Sequence, residues 1–448
     1  MARFVPVDRD TQFLFPPSVQ EWLPKDHLAR FVVDVVEQLD WSGLEQSYAG
    51  RGSDAHHPAI LVALLLYGYA TGTFSSRALE RASYDSIAFR YITANTHPDH
   101  DTINSFRQRF LKQIEAIFVQ VLGYAREMGM LKLGTVSLDG TKVHANASRH
   151  SAMSYGHAKK LEAKLKAEVA ELMKRAEAAN ARDLPDGMNL PEELSRREER
   201  LAAIAAAKAK IEARVKAEAE AAYAAKLAAR EQRAKKNGKR PGGRPPAPPS
   251  GTPKDTDQVN FTDEDSRIMP VPGGGFEQAY NAQAAVDTDS LLVVATALTQ
   301  ATNDKRQVVP MLDQLQALPK DLGRVKRLLA DTGYAREDNV NACAKAKIAP
   351  LIALGREAHH ASPFDRFAEP APLPDQPTPL TAMRHRLQTR RGRKLYALRK
   401  GTVEPVFGLI KHVMKFRQFL LRGLASARGE WSLVCLAWNM KRMNALGA

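Results

Sequence analysis

The chain reads as an α+β or α/β protein: a mixed-sheet core, an all-helical N-terminal domain ahead of it and a long helical insert within it. Three observations predict this. Apolar residues recur at helical spacing through residues 1–130. Short β-rich runs then follow in the order strand, hairpin, helix, strand, helix, strand. Residues 157–235, dominated by Ala, Glu, Lys and Arg, fall between the first strand and the hairpin.

Asp26 or Lys25 precedes a helix reaching about Leu39, with Leu28, Phe31, Val32, Val35 and Val36 on its apolar face. Pro58 starts a second helix running through Gly68, and residues 75–83 and 85–93 give two short ones. Asp101 is expected to cap a longer helix with Ile103, Phe106, Phe110, Ile114 and Ile117 in one stripe. Arg107, Arg109 and Lys112 are placed on its other face. That face either docks on DNA or is the solvated side of a plain bundle.

Residues 135–138 change to a β-rich run, and alternation resumes over 141–144. In the insert, Leu194, Leu201, Lys208 and Val215 are spaced by sevens, as are Ile204 and Ile211. This heptad seam predicts an antiparallel hairpin or a coiled coil with another subunit. Leu161, Leu165, Val169 and Leu172 form a looser stripe, and residues 184–187 break the helix. Residues 236–257, basic and rich in Pro and Gly, are expected to be a flexible linker. Strands follow over 280–287 and 291–298, with a tight turn at Thr288-Asp289. A helix over 303–318, where Asp304 reads as a cap, leads to a strand at 325–331, a helix at 336–345 and a strand at 348–353. A second Pro-rich loop and helical stretches at 381–398, 402–420 and 426–443 complete the chain.

The 448 residues carry a net charge of +15 and a pI of about 9.7. That excess favours a polyanionic partner, nucleic acid first; the plainer alternative is a basic soluble protein. Cys343 and Cys435 are the two cysteines, which gives no disulfide framework and no paired-cysteine zinc pattern. Residues 1–17 lack the apolar core of a secretory signal. The longest apolar run, residues 60–70, falls well short of the ~20 residues that cross a bilayer. The expectation is a soluble intracellular protein with no membrane partner.

Three carboxylates sit in contexts suited to a metal-bound site. Asp139 ends the run Thr135-Val136-Ser137-Leu138, Asp331 ends Val325-Lys326-Arg327-Leu328-Leu329-Ala330, and Glu404 opens a helical pattern. Singly, each has a structural reading: a strand-to-turn cap, a turn former, a first-turn acid favoured by the helix dipole. Two bare carboxylates ~4 Å apart repel by about 4 kcal/mol at an effective dielectric of ~20. Convergence therefore calls for cations, and Mg²⁺ with a phosphate-bearing substrate suits such a site. With the insert set aside, the element order matches a ribonuclease H-like core, in which the first strand, the later strand and the last helical segment meet at one edge. His56-His57 and His359-His360 have no acid or cysteine at ligand spacing, and Gly273-Gly274-Gly275 reads as a turn.

The blocks Leu138-Asp139-Gly140-Thr141-Lys142, Phe261-Thr262-Asp263-Glu264-Asp265-Ser266-Arg267, Tyr280-Asn281-Ala282-Gln283, Ala330-Asp331-Thr332-Gly333-Tyr334 and residues 402–411, in that order, resemble the DDE transposases of bacterial insertion sequences. Pro98-Asp99-His100-Asp101-Thr102-Ile103 and Phe106-Arg107 add to the likeness. It is nearest to the subgroup with a helical N-terminal module and a coiled-coil insert after the first aspartate. The resemblance implies Asp139, Asp331 and Glu404 as catalytic acids holding two Mg²⁺ ions, for which Mn²⁺ can substitute. It implies Tyr396, a basic residue and Lys411 on the DNA-binding side; Arg107 and Arg109 are DNA-contact candidates only through the basic helix face read above. The basic residue is Arg399 by the family's preference and Lys400 by helical spacing.

The domains expected are a helical DNA-binding module (1–130), the first core strand (131–156), the insert (157–235), the linker (236–257), the rest of the core (258–425) and a C-terminal helix (426–448). The implied activity is metal-dependent cutting at transposon ends and joining of the 3′-hydroxyl to target DNA. Double-stranded DNA is the expected partner, as terminal inverted repeats and as target. The active complex is expected to be a homodimer, in the bacterial cytoplasm at the nucleoid. A structure-specific nuclease without strand transfer and a non-catalytic DNA-binding protein are the alternatives.

Overall fold

The computed structural model describes residues 18–46, 48, 55–111, 113–178, 189–237, 244–271, 273–355 and 368–447. The chain forms two compact units, residues 1–144 with 280–448, and residues 145–279. The first opens with helices α1 (Val19–Trp22), α2 (Leu28–Glu37), α3 (Ser42–Glu45), α4 (Pro58–Thr71), α5 (Ser76–Asp85), α6 (Ile87–Ile92), α7 (His100–Phe110) and α8 (Ile114–Glu127). The sequence at α4 marks both of its ends. Pro58 occupies the first turn, where its missing N–H costs nothing, and Gly72 closes the helix at φ +86°. Asp99, not Asp101, caps α7, accepting from the backbone N–H groups of Asp101 (2.9 Å) and Thr102 (2.8 Å).

Strand β1 (Leu133–His144) leads into the second unit, which holds β2 (Ala152–Ser154), α9 (Tyr155–Ala178), α10 (Leu190–Asn237), β3 (Gln258–Asn260) and β4 (Arg267–Pro270). Strand β5 (Phe276–Asp287) runs back into the first unit. It is followed by β6 (Val293–Thr299), α11 (Val308–Ala317), β7 (Gly323–Ala330), α12 (Glu337–Lys345), β8 (Ala349–Ile352), α13 (Pro379–Gln388), α14 (Arg390–Ala397), α15 (Val403–His412) and α16 (Leu424–Gly447).

In the first unit the strand order is β6-β5-β1-β7-β8. β5 and β6 pair antiparallel, while β1–β7 and β7–β8 pair parallel. This is the ribonuclease H-like sheet. The two aspartate-bearing strands are neighbours in it, with Leu138 opposite Ala330.

Helix α16 is buried on nearly every side from Gly429 to Met440, so it needs apolar cover all round. One side lies on β6, where the Asn439 side chain bonds both the N–H and the carbonyl of Val293 (2.8 Å each). The other faces α4 and α8. The helices expected as a separate module thus share one core with the sheet.

In the second unit α9 and α10 form an antiparallel hairpin. Ala158, Leu165 and Ile204 make one buried cluster, and Tyr155, Ala207, Ile211 and Val259 another. The seam lysine, Lys208, reaches Glu162 across the hairpin at 2.7 Å. The expected break at 184–187 lies outside the described residues. Ile211 is fully buried, so Ile211→Ala is expected to cost about 2–4 kcal/mol; an unchanged thermal unfolding profile by circular dichroism would contradict this packing. Part of the expected flexible linker also has a definite course. Residues 244–257 run back along α10, with Arg230 donating to the Arg244 carbonyl at 3.1 Å and Lys216 packed beside Gly251.

Candidate active site

Asp139 lies inside β1 rather than at its end, because the alternating residues 141–144 carry the strand on to His144. Asp331 directly follows β7 and caps the turn Thr332–Tyr334 by accepting from Gly333 N–H at 2.8 Å. The parallel register that sets Leu138 beside Ala330 makes these two aspartates the next residue on each segment, at the same end of the paired stretch. Glu404 sits in the first turn of α15 and is exposed.

Arg399 links the helix to the strand. Its guanidinium stands 3.4 Å from Asp139 Oδ2 and 2.8 Å from Glu404 Oε1, with only 13% of the side chain exposed. Helical spacing favours Lys400 as Glu404's neighbour, but Lys400 is exposed. Helical register does not hold across this stretch, because Leu398–Gly401 is a 3₁₀ turn and Thr402 leaves helical geometry at φ −109°, ψ −82°. Tyr396 is half-buried beside Arg399, and burial raises its phenol above the usual range.

Lys411 turns inward. Its ammonium donates to Thr141 Oγ1 (2.5 Å) and to the Lys142 carbonyl (2.9 Å), tying α15 to β1. Burial lowers its pKa, with Arg417 and Lys142 adding to the effect. The expected basic face of α7 is not formed as drawn. Arg107 is buried, donating to the Phe74 carbonyl (3.1 Å) and Asn104 Oδ1 (3.0 Å). It follows Ile103 by four residues, which puts it on the apolar face. Arg109 is half-buried over the Tyr48 ring at 4.8 Å, and Lys112 lies outside the described residues.

Burial pushes the Asp139 carboxyl up to about 7, and the charges of Asp331 and Asp304 add to this. The Gly140 N–H and Arg399 act in the opposite direction. The helix cap expected at Asp304 is not formed: α11 begins four residues later at Val308, with Gln307 as its cap. The Asp304 carboxylate instead receives Asn281 Nδ2 (2.7 Å) and Gln283 Nε2 (2.6 Å). The signal for this was the pair of polar residues two apart on an apolar strand, which points both to one face. Gln283 Oε1 in turn accepts from the Tyr334 hydroxyl, three residues past Asp331.

Gly140 makes this close approach possible. A Cβ there would lie 2.1 Å from Gln283 Nε2, 2.6 Å from Asp304 Oδ1 and 2.9 Å from Asn281 Oδ1. Gly140→Ala is therefore expected to cost about 1–3 kcal/mol through overpacking and about a hundredfold in turnover by displacing Asp139. Thermal melting and a nicking assay check it, and a variant with parent values in both refutes the crowding.

Hard carboxylate oxygens suit a divalent cation, and Asp139, with its ionisation suppressed, is the acid that one would relieve. Arg399 already places positive charge between Asp139 and Glu404. Among the described residues no three acid, histidine or cysteine side chains are closed around one ion position, and Glu404 is paired with that guanidinium. In its chemistry, carboxylates gathered at one end of the β1–β7 pair, the donor set fits a divalent cation.

The ribonuclease H-like sheet thus carries one aspartate within β1, a second directly after the parallel neighbour β7, and a glutamate on a later helix tied to them by Arg399. Two family models match the chain: a transposase domain (DUF772) over residues 17–109 and a transposase DDE domain over residues 260–440. The chain belongs to the insertion-sequence DDE transposases, enzymes that act on DNA. Asp139 precedes the second matched region, so its place at the site rests on the sheet register. Neither a curated protein nor a solved structure gives a significant match. Among the described residues no single helix is long and apolar enough to cross a membrane.

Proposed function

We propose that this transposase cuts DNA at its transposon ends and joins the freed 3′-hydroxyl to target DNA, with Asp139, Asp331 and Glu404 as its catalytic acids. The register of β1 against β7 carries this reading, because it aligns the two aspartates at the sheet edge to which Arg399 ties Glu404. Bound there, two Mg²⁺ ions would supply activation of the attacking oxygen and stabilisation of the leaving one. Asp139 and Asp331 would hold one ion and Glu404 would help hold the second.

Arg399 would exchange its carboxylate partners for a DNA phosphate, which a planar guanidinium binds well. Tyr396 lies beside it, and exposed Lys400 would add an unspecific phosphate contact. Lys411 supports the site from within, holding the Glu404 helix on the Asp139 strand. Joining two DNA ends needs two copies of the site, so the active complex is a homodimer. The cytoplasm, at the nucleoid, is where such a reaction would take place.

Incubation of the protein with a pre-nicked terminal-repeat DNA and Mg²⁺ is expected to give a joined strand-transfer product. Hydrolysis alone would make it a nuclease. DNA binding without cleavage, retained in Asp139→Asn, would make it a binding protein. Gel filtration showing a monomer on end DNA would remove the dimer.

A further inference from the structure

A fourth carboxylate lies at the active edge, and the established family assignment gives it no task. Asp304 sits in the loop between β6 and α11 and caps nothing. Its Oδ1 gathers two amide donors, Asn281 Nδ2 and Gln283 Nε2, from side chains that are both fully buried on β5. Asn281 also donates to the Ala301 carbonyl (3.1 Å), and Gln283 Nε2 to Asn281 Oδ1 (3.0 Å). Gln283 Oε1 receives the hydroxyl of Tyr334, a fully buried ring in the turn that Asp331 caps.

The network therefore touches both aspartate-bearing segments. It meets β1 at Gly140, next to Asp139, where the side chains leave no room for a Cβ. It meets the end of β7 at Tyr334. Asp304, Asn281, Gln283 and Tyr334 are joined by consecutive hydrogen bonds, so a shift of the Tyr334 turn against β5 would break buried ones.

We propose that Asp304 is a positioning residue. As common acceptor for Asn281 and Gln283, it locks the Asp139 strand and the Asp331 turn at the separation that a shared metal ion requires. It does not ligate the ion. This rests on the reading of Asp139 and Asp331 as metal-holding acids.

The test compares Asp304→Asn, Asp304→Ala and Tyr334→Phe in the full chain, by Mn²⁺ titration calorimetry and by steady-state nicking of end DNA. Asparagine keeps an oxygen in the acceptor position and loses the charge. Its Mn²⁺ affinity and kcat are expected to stay within about threefold of the parent. Asp304→Ala removes the acceptor; Mn²⁺ affinity should fall about tenfold and kcat about a hundredfold, with KM for DNA little changed. Tyr334→Phe, which deletes one hydroxyl from a ring that stays in place, should lower kcat about tenfold. It carries the test should the alanine variant not fold.

An asparagine variant as damaged as alanine in Mn²⁺ affinity would make Asp304 a ligand and overturn the proposal. Parent values in both Asp304→Ala and Tyr334→Phe would overturn it as well. A parent that binds Mn²⁺ without nicking would sink only the transposition chemistry, since the affinity comparison still decides the role of Asp304. A parent that binds no Mn²⁺ would sink both.

Discussion

Asp139→Asn is expected to make the metal-free protein melt at a higher temperature at pH 7 while abolishing DNA cleavage. The carboxyl is held up at about 7 by burial and by neighbouring acids, against an ordinary value of 3.8. Its folded-state pKa thus exceeds its unfolded one. Between these values the native state keeps a proton that the unfolded chain has released, so stability falls as pH rises through the window from about 4 to 7. The full linkage amounts to up to about 4 kcal/mol at neutral pH. Asparagine has nearly the same shape, still accepts from the Gly140 N–H and carries no charge, but it gives up the attraction of Arg399. The net gain is expected to be about 1–3 kcal/mol, or a few degrees in Tm. The parent's Tm should decline from pH 5 to pH 8, and the variant's should decline less. Added Mg²⁺ should raise the Tm of the parent and leave the variant unmoved. Nicking should fall by at least about a thousandfold. A variant that melts below the parent at pH 7, with the same offset at pH 5, would show that Asp139 is not a strained acid.

Glu430→Ala is expected to cost about 3–5 kcal/mol, a larger stability loss than the one expected at Ile211. Glu430 is fully buried in α16. It accepts from the N–H groups of Leu420 and Leu421 (3.0 Å each) and from the Tyr69 hydroxyl (2.7 Å) on α4. Arg107 stands within electrostatic reach of it. Truncation removes the acceptor of the buried Tyr69 hydroxyl and of two part-buried backbone N–H groups, together with the charge that faces Arg107. Glu430→Gln keeps one acceptor oxygen, enough for the Leu420 and Leu421 N–H groups, while its amide can donate to the Tyr69 hydroxyl oxygen, and should cost about half as much. Because Glu430 bonds the N-terminal helices and the segment after α15 together, chemical denaturation of the alanine variant should lower one cooperative transition in the first unit. Early loss of the N-terminal helices alone, with the sheet melting at its parent position, would show that they fold independently after all.

Much of the site was legible from local pattern. Asp139 and Asp331 each follow a β-rich run, and Glu404 stands where helical spacing begins, so the chemistry and its carriers show in the linear sequence. Arg107 was legible too: four residues after Ile103 and three before Phe110 is an apolar-face position, and treating it as basic surface overlooked the spacing. Arg399 was not legible over Lys400, because the answer depends on a 3₁₀ turn and on the backbone at Thr402 rather than on residue type. Asp304 was not legible either. An aspartate ahead of a helix has the same appearance whether it caps that helix or reaches back to a strand more than twenty residues away.

By itself the sequence determined the order of elements, the ribonuclease H-like sheet, the heptad seam of the insert and the three candidate acids, since periodicity and residue chemistry are local properties; whether the seam closes within one chain was left to the tertiary structure. The tertiary structure alone decided which groups share a neighbourhood: Asp139 with Asp331 through the β1–β7 register, Asp304 with Gly140 through a missing Cβ, and the N-terminal helices with the sheet through α16. Burial, like-charge proximity and the satisfaction of buried donors arise only when distant segments meet, and these set the charge state of Asp139 and the inward turn of Lys411.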